Sequence, residues 1–205
     1  THLFSSAASD VYKRQILRRQ VHRDFRKPLV LMTPKSLLRN KLCTSKLEDF
    51  TNGSSFHRVL WDDAEKGSSS TELANDKNIR RVVMCSGKVY FDLLEERDAR
   101  GLNDIYLLRF EQFYPFPAMS ALKELERFQN AEMVWCQEEP KNQGAWSFME
   151  PNIEWVLSRM KAKFKRPIYV GRPASASPAT GLASQHKEQQ KLLVEEALNL
   201  KENKK

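Results

Sequence analysis

Two adjacent carboxylates, Glu138 and Glu139, are the residues of this sequence whose types most directly suggest acid–base chemistry. Paired carboxylates can divide the roles of general acid and general base. Neighbouring side chains on an extended segment point in opposite directions, however, so the two rarely act on one substrate atom. We therefore favour a role in which these residues and the nearby Gln143 fix a sharp strand-to-helix bend or contact a second subunit.

Three cations form the strongest candidate for a ligand site. Lys35 and Arg39 are four residues apart in the segment PKSLLR, so a helical turn would place both on one face, where they could bind a phosphate or carboxylate. They could equally be solvated or paired with acids. Lys88 stands at the predicted start of a helix, where an anion could also bind. The spacing is not that of a P-loop, and a simple helix cap by Ser86 with a turn at Gly87 is favoured.

The small-residue loop over 172–181 contains Arg172, Ser175 and Ser177. Neither serine has a neighbouring His or Asp in sequence that could activate it as a nucleophile. Small residues and two prolines are typical of a stiff, tightly packed segment. We therefore predict that this loop has a structural or interface role.

Histidine and cysteine give no sign of a metal site. The four His residues are scattered and show no ligand spacing with one another or with the three Cys residues. Cys85 and Cys136 fall within predicted buried strands, which favours packed thiols over nucleophiles. We therefore predict no catalytic, cofactor-binding or metal-ligating residue in this chain.

Short apolar runs alternate with longer amphipathic segments along most of the chain. Strands are predicted at 29–33, 81–85, 104–110, 131–137 and 167–171, and helices at 16–27, 88–100, about 116–128, 146–160 and 184–200. The strands are apolar on both faces, which is typical of a parallel sheet covered on both sides. The predicted fold is a three-layer α/β/α domain with a mostly parallel five-stranded sheet.

The chain divides into segments of different character. Residues 1–15 are small, polar and then basic, and we predict a non-native or disordered leader. The predicted helix over 16–27 precedes the main domain at 28–200, in which 52–80 is poor in large apolar residues and predicts a surface loop. Residues 201–205 are a solvated tail.

Composition and charge exclude several classes of protein. The chain has 205 residues, 40% hydrophobic and 29% charged, with no apolar run long enough to span a membrane. Three Cys without a CxxC pattern argue against a disulfide framework. Of the net charge of +8, the first 50 residues supply +7, from 11 Lys and Arg against 4 Asp and Glu. The basic charge is therefore local, which disfavours a nucleic-acid-binding module.

Five segments in order resemble the C-terminal end of the 2-oxoglutarate dehydrogenases. They are LRRQVHRDFRKPLVLMTPKSLLR, RVVMCSGKVYFDL, RFEQFYPFP, VWCQEEPKNQGAWSF and YVGRPASASPATG, and together they cover about residues 16 to 200. The resemblance implies a transketolase C-terminal-like domain, with 16–27 as the tail of a preceding pyrimidine-binding domain. It also implies that this chain is the last part of a longer enzyme, cytoplasmic in a bacterium or in a mitochondrial matrix.

The resemblance further implies the chemistry and partners of the parent enzyme. Such an enzyme decarboxylates 2-oxoglutarate with thiamine diphosphate and Mg²⁺, and passes the succinyl group to the lipoyl arm of the dihydrolipoyl succinyltransferase core. It works as a homodimer. The family's cofactor-binding GDG motif is absent from this chain, whose seven glycines include no such triplet. We therefore expect that these 205 residues alone bind no thiamine diphosphate and catalyse nothing.

Relatives in this family carry a regulatory acyl-CoA site on this domain, and the resemblance implies that Lys35, Arg39 and Lys88 are its best candidates here. Two other functions stay open at this point. One is a free-standing CoA- or anion-binding α/β domain, which would be a stable monomer. The other is the nucleic-acid-binding module that the local charge already disfavours.

Overall fold

The structure is a computed structural model of the 205-residue chain, and it describes residues 2–5, 10–45, 47–51, 55–67 and 69–198. The predicted tail over 201–205 and part of the predicted leader lie outside the described residues. The rest forms seven strands, five α-helices and several short 3-10 turns within those ranges.

A five-stranded sheet forms the centre of the molecule. Its strands are β3 (Val59–Leu60), β4 (Arg81–Cys85), β5 (Ile105–Phe110), β6 (Glu132–Cys136) and β7 (Ile168–Val170), in the spatial order β3-β5-β4-β6-β7. β4 to β7 are parallel to their neighbours, and β3 pairs antiparallel with β5 at the edge. The prediction of a mostly parallel five-stranded sheet is confirmed.

Helices cover both faces of this sheet because alternate strand residues are apolar on each side. On one face Val82, Met84 and Tyr106 pack against α3 (Ala118–Leu125) and α4 (Trp146–Arg159). On the other face Val83 and Leu107 pack against α2 (Val89–Ala99) and α5 (Ala183–Ala197). The residues of β4 and β5 are all buried, as expected for a doubly covered parallel sheet. The three-layer architecture is therefore confirmed.

The predicted strand at 29–33 does not lie in the core. β2 (Leu29–Met32) pairs in parallel with β1 (His2–Ser5) in a separate two-stranded sheet, and Val30 and Met32 are exposed. The expectation of a buried strand is wrong because only alternate residues of this run face protein. Part of the predicted leader also has regular secondary structure: residues 2–5 form β1, and residues 10–15 are the start of the first helix.

α1 (Asp10–His22) begins and ends earlier than the predicted helix at 16–27. Asp24 would place a negative charge at the carboxyl end of a longer helix, where the helix dipole disfavours it. The side chain of Gln20 instead donates to the carbonyl of Lys27 at 2.5 Å, so the chain turns back beside the helix end.

The predicted surface loop at 52–80 contains part of the core. Val59 and Leu60 form the edge strand β3, and the side chain of Asp62 is fully buried. Asp62 forms a buried ion pair with Arg97 of α2, and its Oδ2 also accepts from the backbone N–H of Leu107 at 2.7 Å. The surface-loop prediction is therefore wrong for 59–62, where one carboxylate joins three elements in place of apolar contacts.

Asp98 extends this buried pair toward the surface. Its carboxylate accepts hydrogen bonds from the hydroxyls of Ser69 at 2.6 Å and Thr71 at 2.9 Å, and forms an ion pair with Arg97 at 3.0 Å. Burial alone would raise the pKa of Asp98, but these hydrogen bonds and the Arg97 charge outweigh it and lower the pKa. The charged form of Asp98 is therefore the form that stabilises the fold.

We expect Asp98→Asn to reduce stability in a pH-dependent way. Because the pKa of Asp98 is lowered in the folded state, its contribution is present above the ordinary aspartate value of about 3.9 and is lost as the pH falls through that region. The free-energy gap between the parent and the variant should thus be largest near neutral pH and should shrink toward pH ~3. Urea unfolding of both proteins across this pH range measures the free-energy gap. Asp104→Asn, at a partly exposed ion pair, is the control with a small effect. A gap that stayed constant down to the lowest pH would contradict the assignment.

Candidate functional site

Four loops meet where the parallel strands end, which is the edge at which open α/β sheets bind ligands. They follow β4 at 86–88, β5 at 111–117, β6 at 137–145 and β7 at 171–182. All the candidate site residues except those of the PKSLLR turn lie in these loops or just after them.

Lys88 is placed by a tight turn and then held by acids. Gly87 adopts φ of 81°, a left-handed conformation that favours glycine, and α2 begins immediately afterwards. The Nζ of Lys88 forms an ion pair with Glu138 and lies 3.9 Å from Oδ2 of Asp92. Ser86 makes no cap to α2, whose N-cap position is Lys88 itself without a side-chain hydrogen bond. The predicted Ser86 cap is therefore wrong.

Arg172 links the backbone of Glu138 to side chains of α5. Its Nη1 donates to the carbonyl of Glu138 at 2.8 Å, and its Nη2 lies 3.1 Å from both Nδ1 of His186 and Oε1 of Gln190. The amide of Gln190 in turn donates to Asp92 at 2.7 Å. Together with Lys88 these residues form a continuous polar network between α2 and α5.

A cavity of about 530 Å³ opens beside this network, and we call it the α2–α5 cavity. Its lining includes Lys88, Asp92, His186 and Gln190, together with Ser36 and Leu37 of the PKSLLR turn and Asn40 just after it. The structure thus brings part of the turn and Lys88 to one cavity.

The other two candidate cations lie outside the lining of that cavity. Residues Lys35–Arg39 form a 3-10 helix, which has three residues per turn, so side chains four apart do not align as they do in an α-helix. The expected common face of Lys35 and Arg39 is therefore wrong. Both side chains are exposed and make no ion pair within the described part of the chain.

The bend after β6 is organised by Gln137, a residue that was not among the predicted candidates. Its Oε1 accepts from the indole N–H of Trp135 and from the backbone N–H of Trp146, both at 3.0 Å. Its Nε2 donates to the carbonyls of Glu139, Pro140 and Gln143. Gln137 is buried and thereby caps the first turn of α4 from outside the helix.

Glu138, Glu139 and Gln143 therefore take part in the bend mainly through their backbone. Glu139 is exposed, while Glu138 pairs with Lys88. A Cβ at Gly144 would approach the Gln137 amide to 2.9 Å, and one at Gly171 would approach the Gln137 carbonyl to 2.6 Å. The two glycines that allow this close packing were the signal in the sequence that could have identified Gln137.

The loop after β7 is fastened to the bend. The carbonyl of Ser175 accepts from Asn142 at 3.0 Å and from Gln143 at 3.2 Å, and its N–H donates to Asn142 at 3.0 Å. The Ser175 hydroxyl accepts from the backbone of Ser177, whose own hydroxyl donates to the carbonyl of Ala179. Both hydroxyls are thus engaged in local turns, an arrangement suited to shaping the loop.

Cys85 and Cys136 face each other in register across β4 and β6, fully buried. Burial raises the pKa of Cys85 to about 12 and also raises the pKa of Cys136. Since the thiolate is the reactive form, both are inert thiols in the folded protein. Cys43, by contrast, is only half-buried.

We expect a thiol titration to separate these cysteines. In the native chain at pH ~8, an aromatic disulfide reagent should modify Cys43 alone, and unfolding should release the two others. Cys43→Ser should abolish the native reaction and leave the two slow thiols unchanged. Fast native modification of Cys85 or Cys136 would contradict the packing.

The donors at this edge do not fit a metal–diphosphate group. Mg²⁺ in such sites needs convergent carboxylate or carbonyl oxygens, but Glu138 is paired with Lys88 and Glu111 with Arg109. Among the described residues, no group of three or more His, Cys, Asp or Glu side chains could hold a metal ion. Nor does any helix in the described ranges have the length and apolarity needed to cross a membrane.

Comparison with known proteins identifies the family. The model of the family described as 2-oxoglutarate dehydrogenase C-terminal matches residues 44–198, which is most of the chain. The chain belongs to this family. It is also 61% identical over 184 residues to proteins named 2-oxoglutarate dehydrogenase E1 component from Brucella anthropi, Brucella ovis and Brucella canis. The alignment covers 89% of this chain and 18% of each relative, so the chain spans about a fifth of their length.

The resemblance predicted from the five sequence segments is therefore confirmed. Four of the five segments fall in the matched family region, and they form the strand ends and loops described above. The family membership assigns the domain type, while the geometry shows which of its polar residues form a ligand-sized cavity and which only shape the bend.

Proposed function

We propose that this chain is the C-terminal part of a 2-oxoglutarate dehydrogenase E1 component, in which it supports dimer assembly and carries out no chemistry itself. The observation that carries the proposal is the 61% identity over 89% of the chain to proteins of that name, of which it spans 18%. The parent enzyme would decarboxylate 2-oxoglutarate with thiamine diphosphate and Mg²⁺ bound by its upstream domains. It would pass the succinyl group to the dihydrolipoyl succinyltransferase core.

Exposed apolar side chains support a role in assembly. Five of them come from the segment between β2 and residue 47, and we call this set the 30–47 apolar side chains: Val30, Met32, Leu38, Leu42 and Leu47. Met32 is 61% exposed, Leu38 68% and Leu47 77%. Large exposed apolar side chains concentrated in one stretch of the chain favour a surface that another domain or subunit covers. We propose that the upstream domains and the partner subunit cover them in a bacterial cytoplasm or a mitochondrial matrix.

Light scattering on the longer protein tests this role. The protein that contains the upstream domains should be a dimer, and Met32→Lys with Leu38→Lys should shift it toward monomer or aggregate. Leu192→Lys, at an exposed leucine on α5, is the matched control and should leave the dimer intact. If the longer protein were a stable monomer both with and without the substitutions, the proposal would be overturned in favour of a free-standing domain.

We also propose an acyl-CoA effector site at the PKSLLR turn, with Lys35, Arg39 and Lys88 as its cations. The supporting observation is that the turn and Lys88 line the same 530 Å³ cavity. Lys35 and Arg39 are exposed and have no ion pair among the described residues, although neither lines the cavity itself. Charge-assisted hydrogen bonds from such groups are what the phosphates of a CoA would require.

Charge reversal tests the effector site in the full-length enzyme. Lys35→Glu with Arg39→Glu should abolish the change in rate caused by acetyl-CoA while leaving the basal rate unchanged. Lys41→Glu, an exposed neighbour outside the turn, is the control. An intact acetyl-CoA response in the double variant would exclude the site.

A further inference from the structure

The loop after β7 is joined to α5 by a polar contact that we call the Arg172 junction, formed by Arg172, His186 and Gln190. Arg172 is only 8% exposed. Its Nη2 lies 3.1 Å from both Nδ1 of His186 and Oε1 of Gln190, while its Nη1 donates to the carbonyl of Glu138 at 2.8 Å. Its Nε is buried and has no hydrogen-bond partner among the described residues. The attachment of Arg172 to α5 therefore depends on the two contacts of Nη2.

The contact between Arg172 and His186 requires the neutral imidazole. A guanidinium group only donates hydrogen bonds, so Nδ1 of His186 has to accept, and it can do so only when the ring proton is on Nε2. A protonated imidazole donates from both nitrogens. Protonation would therefore set two donors and two positive charges 3.1 Å apart. Among the described residues no carboxylate forms an ion pair with Arg172, so no acid in contact with it offsets the added charge.

Other charged groups near His186 come from α2, from α5 and from the bend after β6. The described lining of the cavity that His186 faces includes four carboxylates and three lysines: Asp92, Glu95, Glu96 and Glu195, with Lys88, Lys187 and Lys191. Glu96 pairs with Arg100 at 2.8 Å and Glu195 with Lys191 at 3.8 Å. Lys88 pairs with Glu138 of the bend and lies 3.9 Å from Asp92. In the described structure Arg172 is therefore the charged group that meets the imidazole directly.

The junction holds one side of a loop whose other side is fastened to the bend after β6. The carbonyl of Arg172 accepts from the backbone N–H of Lys141 at 3.0 Å, and the backbone N–H of Ser175 donates to the side chain of Asn142 at 3.0 Å. The loop and the bend both lie at the carboxyl ends of parallel strands, where α/β sheets bind ligands. Release of Arg172 would therefore loosen two of the segments that form this edge.

We propose that His186 is a pH-sensitive switch for the loop after β7. In its neutral form it accepts from Arg172 and holds the loop against α5, and its protonation releases Arg172 and loosens the loop and the bend. Histidine is the side chain that gains its proton between about pH 5 and 8. Because the neutral form makes the contact, the loop is held at the upper end of this range and is released as the pH falls. The inference concerns the loop alone and does not depend on what binds in the α2–α5 cavity.

Hydrogen exchange of the longer protein that contains the upstream domains tests the switch. The reporters are the backbone N–H groups of Lys141 and Ser175, followed by mass spectrometry in peptides that cover 139–145 and 172–180. After correction for the intrinsic effect of pH on exchange, their protection should fall by about tenfold between pH ~8 and ~5.5, because a hydrogen bond to a charged group is lost.

His186→Asn separates the switch from a general effect of acid. The asparagine carbonyl can take the place of Nδ1 and accept from Arg172 at every pH, so the fall in protection should disappear. His22→Asn, at an exposed histidine at the end of α1, is the matched control and should keep the fall. A fall that persisted in His186→Asn, or protection that stayed constant in the parent, would overturn the inference. So would loss of the fall in His22→Asn as well.

Discussion

Replacing Asp62 with Ala should lower the free energy of unfolding by about 3–5 kcal/mol, the largest single effect expected in this chain. The carboxylate and the guanidinium of Arg97 are both fully buried and form an ion pair. Removing one partner leaves the other charge in the interior without compensation. The backbone N–H groups of Leu107 and Ala64, which donate to Asp62 at 2.7 and 2.9 Å, also lose their acceptor.

Urea unfolding of a mutant cycle separates the two causes. Arg97→Met alone should also destabilise strongly, because it leaves the Asp62 charge buried. The double variant Asp62→Ala with Arg97→Met should be less destabilised than the sum of the two, since no buried charge is left alone. Glu65→Ala, which breaks a partly exposed pair with Arg127, should cost about 1 kcal/mol or less. Additive losses in the cycle would contradict the buried pair.

Replacing Gln137 with Leu should lower the free energy of unfolding by at least about 2 kcal/mol, since two buried donors lose their acceptor and each costs about 1–3 kcal/mol. These donors are the indole N–H of Trp135 and the first backbone N–H of α4, at Trp146. Three carbonyls of the bend lose a donor as well. Leucine has a similar volume, so the loss comes from hydrogen bonding and not from a cavity.

Trp135→Phe provides the matched comparison for Gln137. Phenylalanine has no N–H, so adding Gln137→Leu to this background should cost less than in the parent, by about the energy of one unsatisfied donor. Amide exchange at Trp146 should quicken in both Gln137→Leu proteins, because the capping acceptor is gone in each. An unchanged exchange rate at Trp146 would show that the bend does not depend on Gln137.

The regular part of the fold could be predicted from the sequence because its periodicity is strong. The runs at 81–85 and 104–110 are apolar on both faces, and Gly101 adopts φ of 61° just after α2 as a helix stop should. The edge strand at Val59–Leu60 could not be predicted, because two apolar residues in a polar stretch show no hydrophobic periodicity. Its position depends on tertiary contacts of Asp62 that no local pattern reveals.

The candidate site was predictable only in its general position. The position of the loops at the strand ends follows from α/β topology, whereas the approach of the PKSLLR turn to Lys88 depends on tertiary packing outside the five-stranded sheet. The pairing of Lys88 with Glu138 could not be predicted, because it joins residues 50 apart in the sequence. The central role of Gln137 could not be predicted either, because it depends on one side-chain amide at a bend.

The proposal that this chain is the C-terminal part of a 2-oxoglutarate dehydrogenase and carries out no chemistry itself has one direct test. Isothermal titration with thiamine diphosphate and Mg²⁺ tests it most directly, using the longer protein with its upstream domains as the positive control. We predict saturable binding to the longer protein and none to the 205-residue chain at micromolar concentrations. Saturable micromolar binding by the chain alone would contradict the account.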